Sequence, residues 1–180
     1  MNAVDVPPAV QTPLATIAAL VATLAVTGVL ATAVAVDALR GALSATTTAA
    51  VLAFLTGLFL IRVAGQVLVA LRGPAWLPPM EKWNLVPYRL LLPIQVVFVA
   101  AMAWLAVTVA NAGGEATRGD PATGRALIAF AALYAASMGV RYAVRMRRRP
   151  GERWFGGAIP IVFHLVLATF VLTYGAYRAG

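Results

Sequence analysis

The chain has 180 residues, of which 62% are hydrophobic and only 11% charged, and its formal net charge is +8. Soluble domains carry roughly 25% charged residues, so the polar side chains here are too few to cover a surface in water, and a water-soluble domain is excluded. The absence of cysteine removes disulfides, thiolate metal sites and cysteine catalysis as well.

After a tail containing Pro7, Pro8 and Pro13, residues 14–36 are apolar and carry no charge. At about 1.5 Å rise per residue such a stretch crosses the roughly 30 Å hydrocarbon layer. The tail carries only Asp5 and no basic residue, so a cleaved signal peptide is not expected. Asp37 and Arg40 mark a turn at the interface. A second helix is expected over 44–71, with Arg62 and Gln66 in its second half. The connection that follows contains Trp76, Pro78, Pro79, Glu81, Lys82 and Trp83. Its prolines deny it a regular helix, and its tryptophans suit the headgroup layer.

The third helix is expected over 88–110, with Pro93 in its first turns, where proline is better tolerated than in mid-helix. A polar loop from Asn111 through Glu115, Arg118 and Asp120 leads to a fourth helix over 125–148. That helix ends in Arg145, Arg147, Arg148 and Arg149. The fifth covers 156–177. The whole chain, 1–180, thus reads as a single all-α domain, a polytopic membrane bundle of about five helices.

Basic residues set the orientation, because Lys and Arg resist translocation. With five spans, one side holds Arg72, Lys82, Arg89, Arg141, Arg145, Arg147, Arg148, Arg149 and Arg153, and the other Arg40, Arg118, Arg125 and Arg178. This asymmetry predicts a cytoplasmic N-terminus and an external C-terminus. It also explains the net charge without nucleic acid, which is not expected as a partner. If the second helix failed to span, the two ends would lie on one side.

Polar groups in lipid are costly and each asks for a reason. Arg62 and Gln66 are four apart and share a helix face. Gln95 lies just beyond Pro93, Arg141 sits a turn from Arg145, and His164 lies about 12 Å into the fifth helix by helical rise. In the five-span topology all of these fall in the cytoplasmic half, as one polar layer between helices two to five that Glu81 or Glu152 could close. One reading is a basic cavity for an anionic ligand. The other is that Arg62 snorkels or pairs with a loop carboxylate while the amides join helices. Arg145, Arg147, Arg148, Arg149 and Arg153 with Trp154, together with Trp76 and Trp83, read either as topology markers and interfacial anchors or as contacts to anionic headgroups or a partner. His164 could ligate a haem or chlorin, although a single histidine rules out bis-histidine ligation; otherwise no cofactor and no metal is expected. There is no phosphate-binding glycine loop and no Ser/His/Asp or paired-carboxylate arrangement.

The run Trp76-Leu77-Pro78-Pro79-Met80-Glu81-Lys82-Trp83 follows Arg62 and Gln66; a second runs from Arg141-Tyr142 through Arg153-Trp154-Phe155-Gly156-Gly157 and Ile159-Pro160-Ile161 to Phe163-His164. These stretches resemble a group of small, uncharacterised bacterial multi-pass membrane proteins, over about the last two-thirds of the chain. The resemblance implies a bacterial inner membrane and brings no activity with it. With so few catalytic groups, the leading expectation is a non-enzymatic structural or accessory component of a membrane complex, in contact with lipids and other membrane subunits. The alternatives are a small carrier or binder of an anionic lipid or solute, and a pigment- or haem-binding protein using His164.

Overall fold

Threonine is frequent in these hydrophobic segments, and its hydroxyl must find a partner where water is absent. The computed structural model shows how. Thr27, Thr32, Thr48, Thr56, Thr108 and Thr173 each donate to the carbonyl four residues earlier, at 2.7–2.9 Å. These six hydroxyls are therefore satisfied within their own helices. The structure describes residues 14–39, 43–73, 88–111, 119–148 and 159–180.

Five helices occupy them: α1 (Leu14–Leu39), α2 (Ala45–Arg72), α3 (Tyr88–Asn111), α4 (Pro121–Arg148) and α5 (Ile159–Ala179). Helices α2, α3, α4 and α5 are long and apolar enough to cross a membrane, while the apolar stretch described in α1, Val21–Asp37, is shorter. The chain is thus an all-helical membrane bundle, as its composition requires. Trp76, Trp83, Glu81, Arg149, Glu152, Arg153 and Trp154 lie outside the described residues.

Local chemistry sets the helix ends that can be seen. Ser44 is the N-cap of α2, its Oγ accepting from the Thr47 amide at 3.1 Å. Gly73 ends the helix with φ at 52°, and its amide donates to the Val69 carbonyl at 3.0 Å; this left-handed cap suits glycine. The fourth helix starts at Pro121, earlier than the Arg125 expected from the sequence. The reason is the pair Asp120–Pro121. The Asp120 carboxylate accepts from the amides of Ala122 at 3.0 Å and Thr123 at 3.1 Å and from the Thr123 hydroxyl at 3.1 Å, and proline is pre-shaped for the first helical position.

These bonds, the Ala122 amide first, hold the Asp120 carboxyl below its ordinary range. The folded value lies below the unfolded one, so the cap's contribution is complete above the usual aspartate range near about pH 4. It is lost as pH falls through the depressed value. The Thr123 amide resonance should accordingly titrate with a midpoint below about 3.9, and Asp120→Ala should abolish the titration. A midpoint at or above the ordinary value would contradict the cap.

Helix α5 is the centre of the bundle, packing against α4, α1 and α2, and α2 in turn packs against α3. The main core joins Leu52, Leu55, Phe59 and Val63 of α2 with Met102, Ala106 and Val109 of α3 and Val166 and Phe170 of α5. By contrast, α3 and α4 scarcely touch each other, and both turn most of their surface outward. Trp104, Val97, Leu133 and Val140 are largely exposed, as lipid-facing side chains should be. The most enclosed positions include the polar Thr48, Gln66 and Thr173. Such a distribution suits lipid as the solvent.

The tightest contact joins α4 and α5. A Cβ added at Gly124 would lie 2.5 Å from the Ala179 nitrogen and 2.8 Å from the Arg178 carbonyl carbon. One added at Gly175 would lie 2.9 Å from the Leu127 Cβ and 3.0 Å from the Gly124 oxygen. The two backbones meet here because neither residue has a side chain.

Candidate functional site

Because α3 and α4 do not close on each other, a cleft is left between them, backed by α2 and α5. It encloses a cavity of about 370 Å³, within the roughly 300–1,000 Å³ of small-molecule sites. Its walls are contributed by Phe59 and Arg62 of α2, Gln95 and Phe98 of α3, Tyr134 and Arg141 of α4, and Pro160, Phe163 and His164 of α5, with further aliphatic side chains. Four of the five polar residues singled out from the sequence therefore share one chamber: Arg62, Gln95, Arg141 and His164. It lies toward the ends of α2 and α4 and the beginnings of α3 and α5. The fifth, Gln66, is fully buried one helical turn along α2 from Arg62 and does not line the cavity.

Arg62 is only 9% exposed. Its Nη1 donates to the Ile159 carbonyl at 3.4 Å, a long bond, and its guanidinium lies over the Phe163 ring at 4.8 Å from the centroid. Cation–π contact and one carbonyl fix the group without neutralising it. Among the described residues neither Arg62 nor Arg141 has a carboxylate partner, and none of the side chains lining the cavity is acidic. The expectation that Arg62 pairs with a loop carboxylate concerns Glu81 and Glu152, which lie outside the described residues. Both polar atoms of the Gln66 side chain and the Gln95 Oε1 are buried and have no hydrogen-bond partner among the described residues. Buried amides usually find partners, so the unpaired Gln95 oxygen in the same cavity as Arg62 and Arg141 marks a site with hydrogen-bonding capacity to spare.

His164 shows a relationship that the sequence did not disclose. The Tyr134 hydroxyl is hydrogen-bonded to its Nδ1, and the two rings meet edge-on at 85° with centroids 5.8 Å apart. Phe130 stacks on Tyr134 from one turn earlier, with centroids also 5.8 Å apart and planes 7° from parallel. Tyr134 precedes Arg141 by two helical turns on α4, so the two share a face. That spacing was the one available signal for Tyr134, and it is weak, because tyrosines on membrane helices are ordinarily read as interfacial anchors. With Nδ1 engaged, only Nε2 of His164 is left to face a ligand.

Of the arginines at the end of α4, Arg147 and Arg148 are exposed and Arg145 is partly buried. They extend the positive charge from the cavity toward the end of the bundle. Among the described residues no group of three or more His, Cys, Asp or Glu could hold a metal. No family model matches the chain, nor does any curated protein or solved structure compared with it. Its function has to be read from the chemistry of the cleft.

Proposed function

We propose that the protein binds an anionic amphiphile, with the headgroup in the Arg62–Arg141–His164 cavity and the apolar part between α3 and α4. The observation that carries this reading is a buried guanidinium with no acidic partner among the described residues, in a cleft whose flanks face lipid. Ions without partners are expensive at membrane depth, and an incoming anion would remove that cost. Leu91, Ile94 and Phe98 line the cavity yet remain substantially exposed on the α3 side, which provides an apolar border for a lipid tail. The accessory-subunit reading accounts for the exposed apolar faces equally well but leaves Arg62 and the unpaired Gln95 oxygen in the cavity without a role. Ligation of a haem or chlorin by His164 would have to use Nε2, because Nδ1 is engaged by Tyr134.

In the same proposal the membrane is a bacterial inner membrane. The N-terminus and the cavity lie on its cytoplasmic side and the C-terminus outside, as the distribution of basic residues favours. The Arg145–Arg148 end of α4 would then gather anionic lipid near the cleft.

Native mass spectrometry of the protein released gently from its own membrane tests the reading. One anionic lipid should accompany each chain, and Arg62→Gln should lose it while still inserting. A hydrogen bond to a charged group is worth about 1.5–3 kcal/mol, so retention should fall by roughly 10- to 100-fold. A bare chain, or a chain accompanied only by a protein subunit, would overturn it.

A further inference from the structure

The charges and donors of the cavity specify more than negative charge. Arg62 and Arg141 bring two positive charges into the same chamber, and no carboxylate lines it among the described residues. A zwitterionic headgroup would carry an ammonium there with no anion to receive it. A phosphodiester would bring one negative charge against two positive ones. A phosphate monoester carries about −1.5 to −2 near neutral pH and presents three terminal acceptor oxygens, which matches the two guanidiniums in charge and in hydrogen-bonding sense.

The Tyr134–His164 pair supplies another donor. A phenol is a stronger proton donor than a neutral imidazole, and the imidazole nitrogen is the better acceptor. Tyr134 therefore donates to Nδ1, which places the ring proton on Nε2. Stacking of Phe130 on Tyr134 and edge-on contact with His164 hold this arrangement. His164 so disposed is a neutral N–H donor and serves an anion without being charged. Tyr134 is a positioning residue, acting on the ligand through His164.

We infer that the cavity selects a lipid whose headgroup is a phosphate monoester, bound by Arg62, Arg141 and the Nε2–H of His164, whose tautomer Tyr134 sets. The inference rests on the anion-binding reading above and narrows it to one headgroup class.

The test uses the full chain in nanodiscs of phosphatidylcholine doped equally with phosphatidic acid, a monoester, and phosphatidylglycerol, an anionic diester. Native mass spectrometry reads retention, and ¹⁵N NMR of the only histidine reads the tautomer. Phosphatidic acid should be retained at least about tenfold over phosphatidylglycerol, and it should shift the Nε2–H signal. Arg141→Gln should bring the two lipids to near parity. Tyr134→Phe should give a mixture of tautomers and weaken phosphatidic acid several-fold. Equal retention of the two anionic lipids by the unmodified protein, or an Nδ1–H tautomer, would overturn the inference while leaving anion binding in place. Retention of neither lipid would sink the anion-binding reading itself. Inorganic phosphate binding as tightly as phosphatidic acid would overturn the lipid source.

Discussion

Replacing Gly124 by valine should force α4 away from α5 and dismantle the cavity from about 15 Å along the helix. The atoms that an added Cβ would strike are backbone, the Ala179 nitrogen at 2.5 Å and the Arg178 carbonyl carbon at 2.8 Å. Flexible side chains can yield to such a contact, but main chain in a packed helix pair cannot. The cost should be at least the roughly 1–3 kcal/mol of ordinary overpacking. Because α4 brings Tyr134 and Arg141 and α5 brings His164, a shift between these helices should also break the Tyr134–His164 hydrogen bond. Gly175→Leu should act alike, since the Gly124 oxygen lies 3.0 Å from its Cβ position. Gly139, also on α4, has nothing within 4 Å of its Cβ position. Gly139→Ala should therefore be neutral or stabilising by up to about 1 kcal/mol, as expected of a helix interior. Unfolding in mild detergent, with the ¹⁵N signal of His164 as a local report, measures both effects. A Gly124→Val protein as stable as its parent would show that α4 and α5 do not meet as described.

Removing the Gln66 amide should make the protein more stable. The side chain is fully enclosed and neither of its polar atoms is paired among the described residues. An unsatisfied buried polar group costs about 1–3 kcal/mol, and leucine fills a similar volume without that cost. Gln66→Leu should raise the free energy of unfolding by an amount in that range, whereas Gln66→Ala should recover less because it leaves a void. A loss of stability in Gln66→Leu would mean that the amide has a partner in the membrane, and a headgroup reaching past Arg62 would be the first to test. Gain for Gln66→Leu together with loss of lipid for Arg62→Gln would separate a position that only burdens the fold from one that serves the site.

Much of the candidate site was legible before any coordinates. In an antiparallel bundle, the second half of one helix lies beside the first half of the next. Arg62, Gln95, Arg141 and His164 were therefore bound to share a level once the spans were drawn. What stayed hidden was rotation about the helix axes. The segments are apolar on nearly every side, so they have little amphipathic contrast to indicate which face turns inward. Gln66 was grouped with Arg62 because the two share a face, yet it is sealed inside the bundle while Arg62 reaches the cavity. Tyr134 is barely marked in the sequence because its role depends on His164 of another helix. The early start of α4 was missed for a local reason: Asp120 and Pro121 read equally well as loop residues and as cap and first helical position.

The sequence by itself determined the solvent, the helical class and the level at which polar residues gather, because hydrocarbon length and the exclusion of charge act on each segment alone. Tertiary packing decided the rest. The glycines at 124 and 175 let α4 and α5 approach backbone to backbone, α5 became the centre, and α3 and α4 were held apart on opposite flanks. The cleft exists because of that separation, and the pairing of Tyr134 with His164 exists because of that approach. Both depend on contacts between segments far apart in the chain, which no property of a single helix specifies.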